Sequence, residues 1–145
     1  MSDRSERAVL NHLIETCKDA ERGFRHVAEH VVDPAVKSLF LDIASQRARF
    51  AADLLPFAQR LGGANTHEGT TAGALHRTWI DLRSAIFRND SIAIVHEAER
   101  GESFSLGVYK DALDGILPPT ARELVEKQYG ELQKTADRLR QLEAS

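Results

Sequence analysis

Two carboxylates, Glu99 and Glu102, lie three residues apart in a stretch that has a helical pattern, HEAERGESFSLGVYKDAL, residues 96–113. They occupy the middle of a series whose steps alternate between three and four residues, which is typical of a buried helix face: Ile92, Val95, Glu99, Glu102, Leu106, Tyr109, Leu113 and Ile116. A carboxylate inside a protein is stable only beside a cation, either a basic side chain or a metal ion.

Turn counts along the other predicted helices indicate which residues meet these two carboxylates. Arg47 lies at the centre of its own apolar series, and it reaches the same level if its helix runs parallel to the quoted one. Thr135 on the last helix faces the pair, and Cys17 and Ala20 on the first helix face Arg47. Gln128 is placed to bond the tyrosine hydroxyl of the quoted stretch. We call the predicted set the interior polar layer: Glu99, Glu102, Arg47, Thr135 and Gln128.

Two hypotheses account for the interior polar layer. In the first, Arg47 forms a buried bidentate salt bridge with one or both carboxylates and offsets their desolvation. In the second, Glu99 and Glu102 hold iron or manganese, with Cys17 or a partner subunit adding ligands. We favour the salt bridge, because a fixed guanidinium repels a metal and no histidine points inward to complete a ligand set. No cofactor is therefore predicted, and iron or manganese is the alternative.

A di-iron helical bundle has a recognisable sequence code, which is Glu-x-x-His on two of its helices. This chain has only the reverse spacing, His-x-x-Glu, and at about 100° per residue these pairs fall outside the apolar helix faces or at their edge. We therefore expect solvated polar pairs: His12 and Glu15, His26 and Glu29, and His96 and Glu99.

The remaining reactive side chains give no catalytic set. Cys17 lies on an apolar face, where a cysteine is typically an inert core residue. His76 and Trp79 are interpreted as packing and capping residues of a shorter helix. The chain contains no Ser/His/Asp set, phosphate-binding loop, dinucleotide fingerprint or zinc-spaced cysteine pair, so no catalytic residues are predicted.

Composition excludes several classes of protein. The chain has 145 residues, which fits one domain with a sizeable core, and 28% of its residues are charged. Its net charge of −3 argues against nucleic acid as the main partner. A single cysteine cannot form an internal disulfide, and neither a signal peptide nor a membrane span is found. We expect a cytoplasmic protein that binds neither nucleic acid nor membrane.

Apolar periodicity predicts an all-α fold and no strand. Four long helices and one shorter helix are expected at about residues 5–32, 34–61, 72–88, 91–115 and 120–143. Tight links make the first two helices one antiparallel hairpin and the last two another. The segment between the hairpins must then cross over, so that the second and fourth helices run parallel. Two hairpins with a long crossover form a ferritin-like up-down four-helix bundle, in one domain over residues 1–145.

Several segments also resemble a known family. The stretches LNHLIETCKDAERGF, LFLDIASQR, GALHRTWIDL, HEAERGES and VEKQYGEL are similar to the bacterial ferritin-like four-helix-bundle family of unknown function. LHRTW and ERGE are the most specific of these pieces, and the resemblance covers about residues 8–143. It implies the bundle fold and brings no activity with it.

A second stripe on the fourth helix consists largely of small residues: Ile94, Ala98, Gly101, Ser105, Val108 and Ala112. A mid-helix glycine costs close to 1 kcal/mol relative to alanine, so Gly101 indicates that another helix approaches closely. That helix is either the crossover helix or a second subunit. We predict a non-catalytic bundle protein that acts through helix-face association, as a homo-oligomer. The alternative is a carboxylate metal protein that binds or oxidises iron.

Overall fold

The computed structural model describes the backbone of residues 3–62 and 72–144, and the side chains of residues 5–62 and 80–142. These residues form five α-helices and no strand, which confirms the predicted all-α class: α1 (Asp3–Ala28), α2 (Pro34–Arg60), α3 (Ala72–Phe87), α4 (Ser91–Asp114) and α5 (Pro119–Ala144). The predicted loop at residues 63–71 and the side chains of His76 and Trp79 lie outside the described residues.

The turn between α1 and α2 begins earlier than the sequence predicts. Helix α1 ends at Ala28 rather than near Val32, and two i→i+3 hydrogen bonds tighten the chain after it, from the amides of Glu29 and His30. Asp33 then caps α2, because its carboxylate accepts hydrogen bonds from two backbone amides of the first turn, at 2.9 and 3.3 Å. Proline fits the next position because the first helical residue needs no amide hydrogen.

Polar residues also define the turn between α3 and α4. Asn89 has a φ of 53°, a left-handed conformation that asparagine tolerates better than most residues. Asp90 follows as the N-cap of α4 and accepts a hydrogen bond from the amide of Ala93 at 3.1 Å. At the other end of α4, the Arg122 guanidinium donates to the carbonyl oxygens of Leu113 and Gly115, at 2.6 and 3.0 Å. Side chains therefore satisfy backbone groups at both ends of α4.

The four long helices pack side by side around a shared interior. Helix α1 lies along α2 and α4, and α5 lies along α4 and α2. The amino-terminal halves of α2 and α4 share one apolar cluster with the carboxy-terminal halves of α1 and α5. Helices α2 and α4 therefore run parallel, and α1 and α5 run opposite to them. Helix α3 packs against α4 and α1 and buries Leu82 and Ala85.

The interior contains two apolar clusters with buried polar side chains between them. One cluster includes Phe24, Phe40, Ala44, Leu82, Ala98 and Leu139. The other includes Leu10, Leu13, Phe50, Val108 and Leu132. On α2, Arg47 falls between Ala44 and Phe50. On α4, Glu102 and Ser105 fall between the two clusters in the same way. The fold thus places a charged level halfway along its core.

No helix in the described ranges combines the length and the apolar character needed to cross a bilayer.

Candidate functional site

The charged level is formed by Arg47 of α2 and Glu102 of α4. Their side chains are 1% and 0% exposed, and the Nη2 atom of Arg47 donates to Oε2 of Glu102. This contact confirms the predicted buried salt bridge. It is a single contact rather than the expected bidentate one, because Nη1 of Arg47 and Oε1 of Glu102 have no hydrogen-bond partner among the described residues. The pair therefore keeps one unused donor and one unused acceptor inside the core.

Glu99 does not join this pair, although the sequence places it in the interior polar layer. Its side chain is 22% exposed, and its Oε1 atom lies 3.4 Å from Nε of Arg140 on α5. Helix α4 is rotated about its own axis relative to the orientation that the apolar series predicts. The reason is that α4 contacts α3 as well as α1 and α5. This rotation turns Glu99 and Ile92 toward solvent and buries a different stripe: Ile94, Val95, Ala98, Gly101, Glu102, Ser105, Val108, Tyr109 and Ala112.

The stripe of small residues on α4 is consequently part of the core. Its members from Ile94 to Ala112 are all buried within the chain, and Gly101 lies among them. Of the two partners that the sequence allows for this stripe, the crossover helix α3 packs against α4. This stripe is not a free surface for a second subunit.

Thr135 contacts the charged pair through an intermediary that the sequence interpretation missed. Gln46 donates from Nε2 to Oγ1 of Thr135 at 3.1 Å, and its Oε1 accepts a hydrogen bond from Nε of Arg47 at 3.2 Å. Arg47 is thus held from two sides, by Glu102 and by Gln46. The adjacent position of Gln46 in the sequence was the only available signal, because its side chain is half-buried and lies off the apolar series.

A second buried hydrogen-bonded chain links Cys17, Tyr109 and Gln128. Nε2 of Gln128 donates to the carbonyl oxygen of Phe50 at 3.3 Å, which turns its Oε1 toward the Tyr109 hydroxyl. That hydroxyl donates to Oε1 at 2.7 Å, as the sequence leads us to expect. Because the tyrosine has one hydrogen to give, the Cys17 thiol is the donor in the 3.2 Å contact between its Sγ and the hydroxyl oxygen.

Burial and the charged pair together set the protonation of these groups. Burial raises the pKa of the Cys17 thiol to about 11, although the positive charge of Arg47 opposes this shift. Burial also raises the pKa of Tyr109 well above its usual value, and the neighbouring Cys17 adds to the increase. For Arg47, burial alone lowers the pKa, but the attraction of Glu102 outweighs it, so the pKa lies above its ordinary value. At neutral pH Cys17 is therefore a thiol with little reactivity.

The residues of this interior do not fit a carboxylate metal centre. Glu102 is the one carboxylate among the buried side chains that the structure describes, and no histidine or aspartate is buried with it. The Arg47 guanidinium bonds one of its two carboxylate oxygens and places a fixed positive charge beside it. Glu99, the second proposed ligand, is bound to Arg140 instead. Among the described residues, this interior therefore offers no set of metal ligands.

The His-x-x-Glu pairs have different surroundings. His12 and Glu15 are half-buried on α1, whereas His26, Glu29 and His96 are exposed. Sequence reasoning treated each pair separately and passed over His30. The ligand atoms of His26, Glu29 and His30 all lie within 4.8 Å of one another.

The fold and the site define an all-α protein with a charge-compensated core. Residues 6–115, from α1 to just past the end of α4, match the family described as Domain of unknown function (DUF2383), and the chain belongs to this family. Helix α5, which supplies Gln128 and Thr135, lies beyond the matched residues. No curated protein matches the chain.

Proposed function

We propose that the protein is a ferritin-like helical bundle without a catalytic centre, and that it acts by association with a second copy of the same chain. Two hairpins joined by a crossover, with α2 parallel to α4, support the ferritin-like arrangement. The observation that carries the non-catalytic role is the Arg47–Glu102 pair. It neutralises the one buried carboxylate among the described residues, whereas a metal-dependent bundle directs several uncompensated carboxylates and histidines into its core.

The association surface is best sought at one end of the molecule. Three large apolar side chains are mostly exposed there, next to the α1–α2 and α3–α4 turns: Val32 at 82%, Phe87 at 84% and Ile92 at 74%. Removal of such side chains from water is the main favourable contribution to association. The stripe of small residues on α4 is buried within the chain and cannot form an interface. We therefore assign the interface to this end of the molecule instead.

A second copy of the chain is the partner that the charges at this end fit best. Exposed Asp33 and Asp90 lie at the two turns, and exposed Arg83 and Arg88 lie at the end of α3. A surface that carries both signs of charge around an apolar centre can pair with its own copy across a two-fold axis. Nucleic acid would require a predominantly basic surface instead.

The test is the mass of the untagged chain in solution. We expect light scattering to give a multiple of the 16.1 kDa chain mass, and the double variant Phe87→Ser/Ile92→Ser to give the single-chain mass with the helix content of the wild type. Leu41→Ser is the control, since Leu41 is a partly exposed apolar residue on α2, away from both turns. A single-chain mass for the wild type, or an equal shift in the control, contradicts the proposal.

The iron or manganese alternative receives no support from the described side chains. Its two proposed ligands each contact a different arginine, Glu99 with Arg140 and Glu102 with Arg47. They therefore do not converge on a common ion.

A further inference from the structure

One of the three His-x-x-Glu motifs differs from the others at the next residue. His30 follows Glu29, so that His26, Glu29 and His30 stand at positions i, i+3 and i+4. The corresponding fourth positions after His12 and His96 are Thr16 and Arg100. On a helical turn, residues i, i+3 and i+4 share one face, so only this motif presents two imidazoles and a carboxylate together.

The structure brings these three side chains together. Each offers one ligand atom, and the three atoms lie within 4.8 Å of one another. The two imidazole rings have centroids 5.4 Å apart and an interplanar angle of 72°. Two atoms bound to the same tetrahedral zinc ion at about 2.1 Å are about 3.4 Å apart. Rotations of the exposed side chains can close the remaining gap, because such side chains change rotamer readily.

The backbone helps to hold the set in place. Helix α1 ends at Ala28, and the amides of Glu29 and His30 bond the carbonyl oxygens of His26 and Val27 at 3.3 and 3.0 Å. With these two hydrogen bonds, the backbone keeps a helix-like turn from His26 to His30. The carboxy-terminal end of a helix also carries a partial negative charge, which favours a bound cation.

The surroundings leave the site open on one side. His26 and His30 line a surface pocket together with Val27, Arg83, Ile86 and Phe87. Arg83 is exposed, and its charge opposes a cation in the pocket. Its long flexible side chain can extend into water, so this repulsion is weaker than that of the buried guanidinium of Arg47.

We propose that His26, Glu29 and His30 form a surface binding site for a divalent transition metal of the zinc, nickel or copper type. Two imidazoles and one carboxylate are a ligand set that zinc accepts, and imidazole also suits copper and nickel. Three protein ligands leave a further coordination position for water. The site is separate from the charged level of the core, and it needs no change in the fold.

The experiment titrates Zn²⁺ into the untagged, metal-free chain by calorimetry. We expect one Zn²⁺ per chain, and a loss of affinity of at least about tenfold in His26→Ala and in His30→Ala, because even an outer-shell partner of a metal site is typically worth about 10–100-fold. Zn²⁺ should also raise the melting temperature of the wild type more than that of either variant.

The matched control is His96→Ala, because His96 is an exposed helical histidine with the same His-x-x-Glu spacing but an arginine at the fourth position. It should bind Zn²⁺ as the wild type does. The proposal is overturned if the wild type takes up no Zn²⁺, if His30→Ala keeps wild-type affinity, or if His96→Ala loses as much as His26→Ala. The mass of the metal-free chain tests the association proposal separately, because that measurement needs no Zn²⁺.

Discussion

Glu99 and Glu102 lie one helical turn apart on α4, but their surroundings are opposite. Glu102 is fully buried against the equally buried Arg47. Glu99 is partly exposed and faces Arg140, an arginine at the surface of α5. A rotation of α4 thus separates two residues that have the same apolar spacing in the sequence. The comparison teaches that an arginine–glutamate ion pair should contribute much more to stability in the core than at the surface.

The physical difference lies in the cost of an unpaired charge. A charge in the core has no water to replace a lost partner, so removal of one member leaves a large desolvation penalty. At the surface, water and salt screen the charge. Loss of the partner there changes the free energy of unfolding only slightly, because water solvates the remaining charge.

The largest effect is expected for Arg47→Met, which leaves the Glu102 carboxylate alone in the core. We expect the free energy of unfolding in denaturant to fall by about 3–5 kcal/mol. Arg49→Met is the matched control, because Arg49 is on the same helix but exposed, 3.3 Å from Glu131. Equal losses in the two variants would mean that the core pair behaves like a surface pair.

The next effect tests the rotation of α4. Gly101→Leu puts a large side chain into the buried stripe, and we expect a loss of about 1–3 kcal/mol from overpacking, with no change in mass. Gly107→Leu is the control, since a Cβ atom at that position meets nothing within 4 Å. If Gly101→Leu instead changes the mass and keeps the melting temperature, then the stripe of small residues is an intersubunit surface. That result would contradict the orientation of α4 described above.

A pH effect of similar or smaller size is expected from Cys17. Its pKa in the folded chain, about 11, lies above the ordinary value of 9.0, so the folded state binds this proton more tightly than the unfolded state. Stability therefore falls as the pH rises from 9 to 11, by about 2 kcal/mol from this group. Tyr109 adds to the same trend.

Denaturation curves of Cys17→Ala over this pH range provide the check. The variant should lose less stability between pH 9 and 11 than the wild type, because the titrating thiol is gone. Parallel losses in the two proteins would exclude a contribution from Cys17.

The smallest effect is expected for Glu99→Gln. Its partner Arg140 is exposed, and Nε of that arginine is 3.4 Å from the carboxylate, so we expect a change below about 1 kcal/mol. The matched comparison is Glu102→Gln, which leaves Arg47 unpaired in the core and should cost several times more. Similar values for the two glutamates would remove the distinction on which the comparison depends.

Sequence reasoning predicted the helices and the pairing of Arg47 with Glu102 for a physical reason. Tight links join α1 to α2 and α4 to α5, and a rise of about 1.5 Å per residue, counted from these links, then fixes the level of every side chain. The rotation of α4 could not be read in the same way. Steps of three and four residues identify the buried face of a helix only when the helix packs on one side. Helix α4 has three neighbours, α1, α3 and α5.

The sequence analysis missed Gln46 and His30, for two different reasons. Gln46 is half-buried and lies beside the apolar series, so periodicity gives no sign of its bonds to Arg47 and Thr135. His30 comes after the end of α1, in the turn that the predicted helix extended through. The sequence HVAEH from His26 to His30 carried the signal, but a search for inward-facing ligands passes over an exposed set.

The most direct test of the central claim, that Arg47 and Glu102 compensate each other, is a double-mutant cycle of unfolding free energies. The four proteins are the wild type, Arg47→Met, Glu102→Gln and Arg47→Met/Glu102→Gln. We predict that the double variant is more stable than either single variant, with a coupling energy on the order of 3 kcal/mol, because no unpaired charge is left in the core. Losses that simply add in the double variant would contradict the account.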